Sequence, residues 1–155
     1  GREKVVGREV REGELEPLIW ERYQNGRGLS AQQFVEARST VQQIGRQLAL
    51  FMEDYDLILT PTLAEPPARI GELSLSRDRP GYERAAISVS AFTMLYNATG
   101  QPAMSVPLHW NQAGLPIGVM FAGRFGDEST LFRVAGQLEQ AQPWFDRTAP
   151  YRNTP

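Results

Sequence analysis

The run Pro116-Ile117-Gly118-Val119-Met120-Phe121-Ala122 decides the fold. It is apolar at successive positions, so a strand built from it is apolar on both faces and belongs inside a sheet. The flanking residues supply its neighbours. Ala103 to Leu108 reads as a second strand, and Asn111-Gln112-Ala113-Gly114 as a turn between the two. That order predicts an antiparallel hairpin. Gly123 to Gly126 reads as a loop. Asp127 then caps a helix to about Gln142, with Leu131, Val134, Ala135, Leu138 and Ala141 on one face and Pro143 as its stop.

Working outward, Ser30 and Gln33 form the capping-box pattern. Phe34, Ala37, Val41, Ile44, Leu48, Phe51 and Tyr55 then recur at alternating spacings of three and four. This predicts an amphipathic helix of about 24 residues, roughly 36 Å long, packed on a sheet. Asp56 to Thr60 reads as a short apolar strand ended by Pro61. A Pro-rich loop follows from Thr62 to about Gly81, and loops that long tend to be functional or to cover something. Tyr82 to about Tyr96 reads as one helix, broken by 97–102. Pro17 opens a shorter helix stopped near Asn25-Gly26-Arg27-Gly28. Residues 1–15 read as an irregular entry, 16–145 as a single α/β domain and 146–155 as an extended tail. The fold class is α/β, with helices on a mixed sheet of about three or four strands. An interior strand in so narrow a sheet implies completion by further chain.

Composition narrows the chemistry. The chain has 155 residues, a net charge of −2, no cysteine and one histidine, His109. Thiol chemistry and cysteine-ligated metals are excluded, and a two-histidine metal site is too. No cofactor and no metal are expected. The 16 basic residues, of which Lys4 is the lone lysine, form no basic block, which argues against nucleic acid as a partner. The apolar runs fall far short of the ~20 residues a membrane span needs. No leader pattern opens the chain, and a cytoplasmic location is expected.

No serine lies in Gly-x-Ser-x-Gly. Ser30 reads as a helix cap and Ser105 as a strand residue. Lys4 lies in a charged stretch where a solvated side chain is the default, and His109 reads as a packing residue. Asp127 and Glu128 suit a helix N-terminus. Two clusters are more suggestive. Thr60, Pro61 and Thr62 lie at a strand's C-terminal end, where α/β sheets place ligands. Asn97, Thr99 and Gln101 cluster before a buried strand. Either cluster can satisfy backbone groups at a turn or line a ligand cleft, and the residues alone leave both readings open.

Three blocks carry a resemblance: Tyr55-Asp56-Leu57-Ile58-Leu59-Thr60-Pro61-Thr62, Asn97 to Pro107, and Gly114 to Glu128. In this order they resemble the C-terminal third of the amidase signature family. Pro143-Trp144 matches the usual end of that family's last helix. Glu16-Pro17-Leu18-Ile19-Trp20 looks most like bacterial members related to 6-aminohexanoate cyclic-dimer hydrolases. The resemblance implies an α/β/α fold and hydrolysis of linear or cyclic small-molecule amides by a Ser–cis-Ser–Lys triad. That triad lies in the N-terminal two-thirds of such enzymes and maps onto no residue here. The chain is therefore expected to be a C-terminal part of an amidase, inactive alone. Thr60, Pro61, Thr62, Asn97, Thr99 and Gln101 are its substrate-pocket candidates. A non-catalytic binding module, or part of the amidase subunit of a tRNA-dependent amidotransferase, are the alternatives. Apolar surface left uncovered in such a part predicts self-association into a homo-oligomer.

Overall fold

The computed structural model describes residues 4–5, 7–76 and 78–147. The tail expected over 146–155 lies outside them from residue 148 onward, as do positions 1–3 and 6 of the entry segment. The elements run α1 (Pro17–Arg27), α2 (Ala31–Phe51), a 3-10 turn (Met52–Asp54), β1 (Leu57–Pro61), α3 (Arg79–Ser90), α4 (Thr93–Thr99), β2 (Ala103–Trp110), β3 (Pro116–Gly123) and α5 (Glu128–Ala141).

Among the described residues the sheet has the order β1-β3-β2. The strand 116–122 is thus central, as its two apolar faces require. Both pairings are antiparallel, so the sheet is not mixed as expected. Proline explains who sits at the edges. Pro61 ends β1, and Pro107 falls where the β2–β3 register slips between Val106 and His109. Lacking an N–H, proline is confined to edges, bulges and the first residue of a strand, which is where Pro116 stands in β3. The hairpin turn closes on Asn111, whose Oδ1 accepts from the Ala113 and Leu115 amides at 3.0 and 2.9 Å.

Alternation along β3 divides the core in two. Met120 and Ala122 face Tyr96 of α4, with Leu48 of α2, Ile58 and Phe92 packed around them. Phe121 faces the other way, toward Val106 and Leu131 of α5, with Leu57, Val119, Val134 and Trp144. The result is a helix–sheet–helix sandwich, the α/β/α layering expected. Asp127 begins α5 as the sequence indicates: its carboxylate accepts from the Thr130 amide at 3.3 Å and the Thr130 hydroxyl at 2.6 Å. These bonds, led by the Thr130 hydroxyl and then that of Ser129, hold its carboxyl below the usual range.

Two helices depart from the periodicity. The helix expected over 82–96 is two, broken around Ala91 and Phe92. Hydroxyls explain the break: Ser90 donates back to the Ala86 carbonyl at 2.6 Å, and Thr93 to the Ser90 carbonyl at 3.1 Å, contacts that bend helices. The second piece runs through Thr99, so Asn97 and Thr99 are helical rather than part of a turn; Gly100 ends it at φ 82°. In α2 the capping box forms, with Ser30 Oγ accepting from the Gln33 amide at 3.1 Å and Gln33 Oε1 from the Ser30 amide at 2.8 Å. Its apolar seam does not pack on the sheet along its length. Leu48 reaches the core, but Phe34 is 61% exposed, and Val41, Ile44, Phe51 and Tyr55 are exposed as well. Three strands offer too little surface to cover six helical turns. Close approach to α4 is made at Gly45, where an added Cβ would stand 3.7 Å from Thr99 Cβ.

Candidate functional site

Residues of all three strands border one cavity. The Thr62 amide donates to the Gly118 carbonyl at 3.0 Å, one residue beyond the last Cα pair of β1 and β3. Thr62 therefore lies on the same face as Gly118, and Ser105, opposite Met120 on β2, shares that face. β1 and β2 are not neighbours; β3 separates them by about 10 Å in all. Their side chains nonetheless touch: Thr62 Oγ1 and Ser105 Oγ are 2.6 Å apart. They meet because Gly118 has no side chain. A Cβ there would stand 2.5 Å from Ser105 Oγ and 2.6 Å from Thr62 Oγ1.

This hydroxyl pair lines a cavity of about 370 Å³. Pro61, Leu63, Ala64, Pro66, Pro67, Pro116 and Ile117 give it a largely apolar wall, and Glu65 adds one carboxylate. The loop that forms the wall is held at its start, where the Ala64 amide donates to the Val89 carbonyl of α3 at 3.2 Å. Two of the six sequence candidates, Pro61 and Thr62, line this cavity. Thr60 sits in β1 opposite Met120, with its hydroxyl donating to the Pro61 carbonyl at 2.9 Å.

The second cluster lies elsewhere. Gln101 is buried and lines a different cavity, of about 380 Å³, with Met52, Glu53, Arg124 and Phe125. The Thr99 hydroxyl has two acceptors within reach, the Leu95 carbonyl at 2.9 Å and the Gln101 side-chain oxygen, and its one proton goes to either. Asn97 is exposed on the last turn of that helix. Beside it, burial pushes the Tyr96 phenol pKa up, which keeps that group neutral. The cavity that holds Pro61 and Thr62 does not hold Gln101.

Sequence reading took Ser105 as a strand residue and did not single out Gly118. A glycine inside an otherwise apolar strand is the available signal, since it marks close approach of another group. Among the described residues no cluster of three or more His, Asp or Glu side chains could hold a metal ion. His109 is exposed within β2.

Known proteins share both sequence and shape with this chain. A family model described as Amidase matches residues 3–132. The 6-aminohexanoate-cyclic-dimer hydrolase of Paenarthrobacter ureafaciens is 33% identical over 151 residues, covering 93% of this chain and 31% of that protein. A solved structure of 6-aminohexanoate cyclic dimer hydrolase superposes with a TM-score of 0.84 and 30% identity, over 95% of this chain and 32% of that one. A solved chain of the Glutamyl-tRNA(Gln) amidotransferase from Thermotoga maritima superposes with a TM-score of 0.64 and 30% identity, over 97% and 33%. The chain thus spans about a third of the length of these relatives. With sequence and fold in agreement, the chain belongs to the amidase family.

Proposed function

We propose that these 155 residues are the C-terminal part of a hydrolase acting on carbon–nitrogen bonds of small linear or cyclic amides. They supply core sheet and part of a substrate-pocket wall, and the reacting serine and lysine come from chain outside them. The observation that carries this reading is the fit of nearly the whole chain onto one third of 6-aminohexanoate cyclic dimer hydrolase.

In this reading Thr60, Pro61, Thr62, Asn97, Thr99 and Gln101 are the pocket candidates, of which Pro61 and Thr62 share one cavity and Gln101 lines another. A cytoplasmic parent enzyme is part of this reading. The 155 residues alone hydrolyse no amide and associate with further copies of themselves through the exposed α2 seam.

The test uses the full-length enzyme carrying this segment. Turnover of the 6-aminohexanoate cyclic dimer or of simple aliphatic amides, with kinetics altered by Thr62→Ala and by Asn97→Ala, supports the reading. No amide turnover, or kinetics indifferent to both substitutions, counts against it. Similarity to the amidotransferase favours a second reading, in which the parent is part of an enzyme that amidates glutamyl-tRNA(Gln). Amidation of that tRNA by the parent together with a partner protein selects this second reading instead.

A further inference from the structure

Gly118 leaves a notch in the central strand, and the Thr62 and Ser105 hydroxyls close over it. The two hydroxyls carry two protons between them. One lies in their mutual hydrogen bond, so one O–H remains to donate to a molecule in the cavity. The surrounding wall is mainly proline and aliphatic, so it favours an apolar body. Glu65, the carboxylate in that wall, disfavours an anionic ligand. An uncharged group that accepts one hydrogen bond and is attached to an aliphatic chain fits all of these features.

We propose that the Thr62–Ser105 pair binds the carbonyl oxygen of a neutral aliphatic amide, which makes Ser105 a specificity-determining residue. This rests on the amide-hydrolase reading above and adds to it the group that recognises the amide. Ser105 is then more than a strand residue. Its hydroxyl is placed by the Gly118 notch, and Thr62 orients it through the 2.6 Å hydrogen bond.

The experiment uses the full-length enzyme and four forms: unmodified, Ser105→Ala, Thr62→Val and Thr62→Ser. Hydrolysis of the 6-aminohexanoate cyclic dimer is followed by release of free amine, and its equilibrium binding by calorimetry. Hexanamide and hexanoate are compared as competing ligands. Losing one neutral hydrogen bond weakens binding by roughly 2- to 10-fold. Ser105→Ala and Thr62→Val should therefore raise Kd or KM by about that factor, with a smaller effect on kcat. Thr62→Ser, which keeps the hydroxyl, should stay close to the unmodified enzyme, and hexanamide should compete better than hexanoate. Circular dichroism verifies that each variant is folded, and Thr62→Ser supplies a folded control at the same position.

A pair that only latches β1 to β2 would lower the unfolding temperature in Ser105→Ala while leaving Kd and KM unchanged. That result overturns the proposal, as does hexanoate competing as well as hexanamide. Binding that weakens in Ser105→Ala without any amide turnover upholds the site and sinks the hydrolase reading. Turnover with KM indifferent to both hydroxyls does the reverse. Absence of both binding and turnover overturns both.

Discussion

Arg124 Nε donates to the Met52 carbonyl oxygen at 3.0 Å, joining the end of β3 to the end of α2 across 72 residues of sequence. The same guanidinium reaches the Glu53 carbonyl at 3.5 Å and Asp56 Oδ1 at 3.4 Å. A cation placed on the last carbonyls of a helix satisfies groups that the helix leaves orphaned. Arg124→Ala should cost about 1 kcal/mol of stability, and chemical denaturation would read it. Arg124→Lys should recover only part of this, because one ammonium cannot span three acceptors. Equal midpoints for unmodified and Arg124→Ala protein would show that the contact adds nothing.

Gly118→Ala tests the notch. The new Cβ would lie far inside contact distance of both hydroxyl oxygens. Either the hydroxyls separate or the strands shift, at a cost of about 1–3 kcal/mol. A thermal melt of the variant should therefore come down from that of the unmodified protein. An unchanged melting temperature would mean that the two side chains swing away freely.

Asp127 should make the fold acid-sensitive. Its folded-state carboxyl is held below the ordinary range, first by the Thr130 hydroxyl. Its contribution is thus fully present above the ordinary carboxylate pKa and is lost as pH falls through the depressed folded value. From about pH 4 downward the unmodified protein should lose stability faster than Asp127→Asn, which still accepts the Thr130 amide. Urea midpoints measured at several pH values would show the two curves converging; parallel curves would refute this.

The bare seam of α2 predicts behaviour in solution. Phe34, Val41 and Ile44 are exposed on one helix, and Phe34, Ala37 and Val41 border a surface cavity with Ala98. Sedimentation of the 155-residue chain should reveal association that grows with concentration. The double substitution Phe34→Glu and Ile44→Glu should weaken it, since burying an unpaired carboxylate is costly. A concentration-independent monomer would remove the basis for the homo-oligomer.

Much of the fold was legible because it is written in short-range patterns. The capping box at Ser30, the turn at Asn111 and the cap at Asp127 each involve residues within a few positions, and each forms as read. The apolar run at 116–122 foretold a central strand. The break near Ala91 was harder to see, because hydroxyls bonding back to helix carbonyls leave the apolar periodicity intact. Of the six candidates, two were found at the cavity. Pro61 and Thr62 line the cavity, whereas Gln101 lines another and turns its side-chain oxygen to the Thr99 hydroxyl.

By itself the sequence determined the local elements, the family resemblance and the exclusion of thiol chemistry, because each depends on residue type and near spacing. Tertiary structure alone decided that Thr62 and Ser105, 43 residues apart, share one hydrogen bond. That contact depends on strand order, register and a missing Cβ on the strand between them, which no local pattern contains. It also decided that the α2 seam stays bare, since periodicity marks which face is apolar and packing decides whether anything covers it.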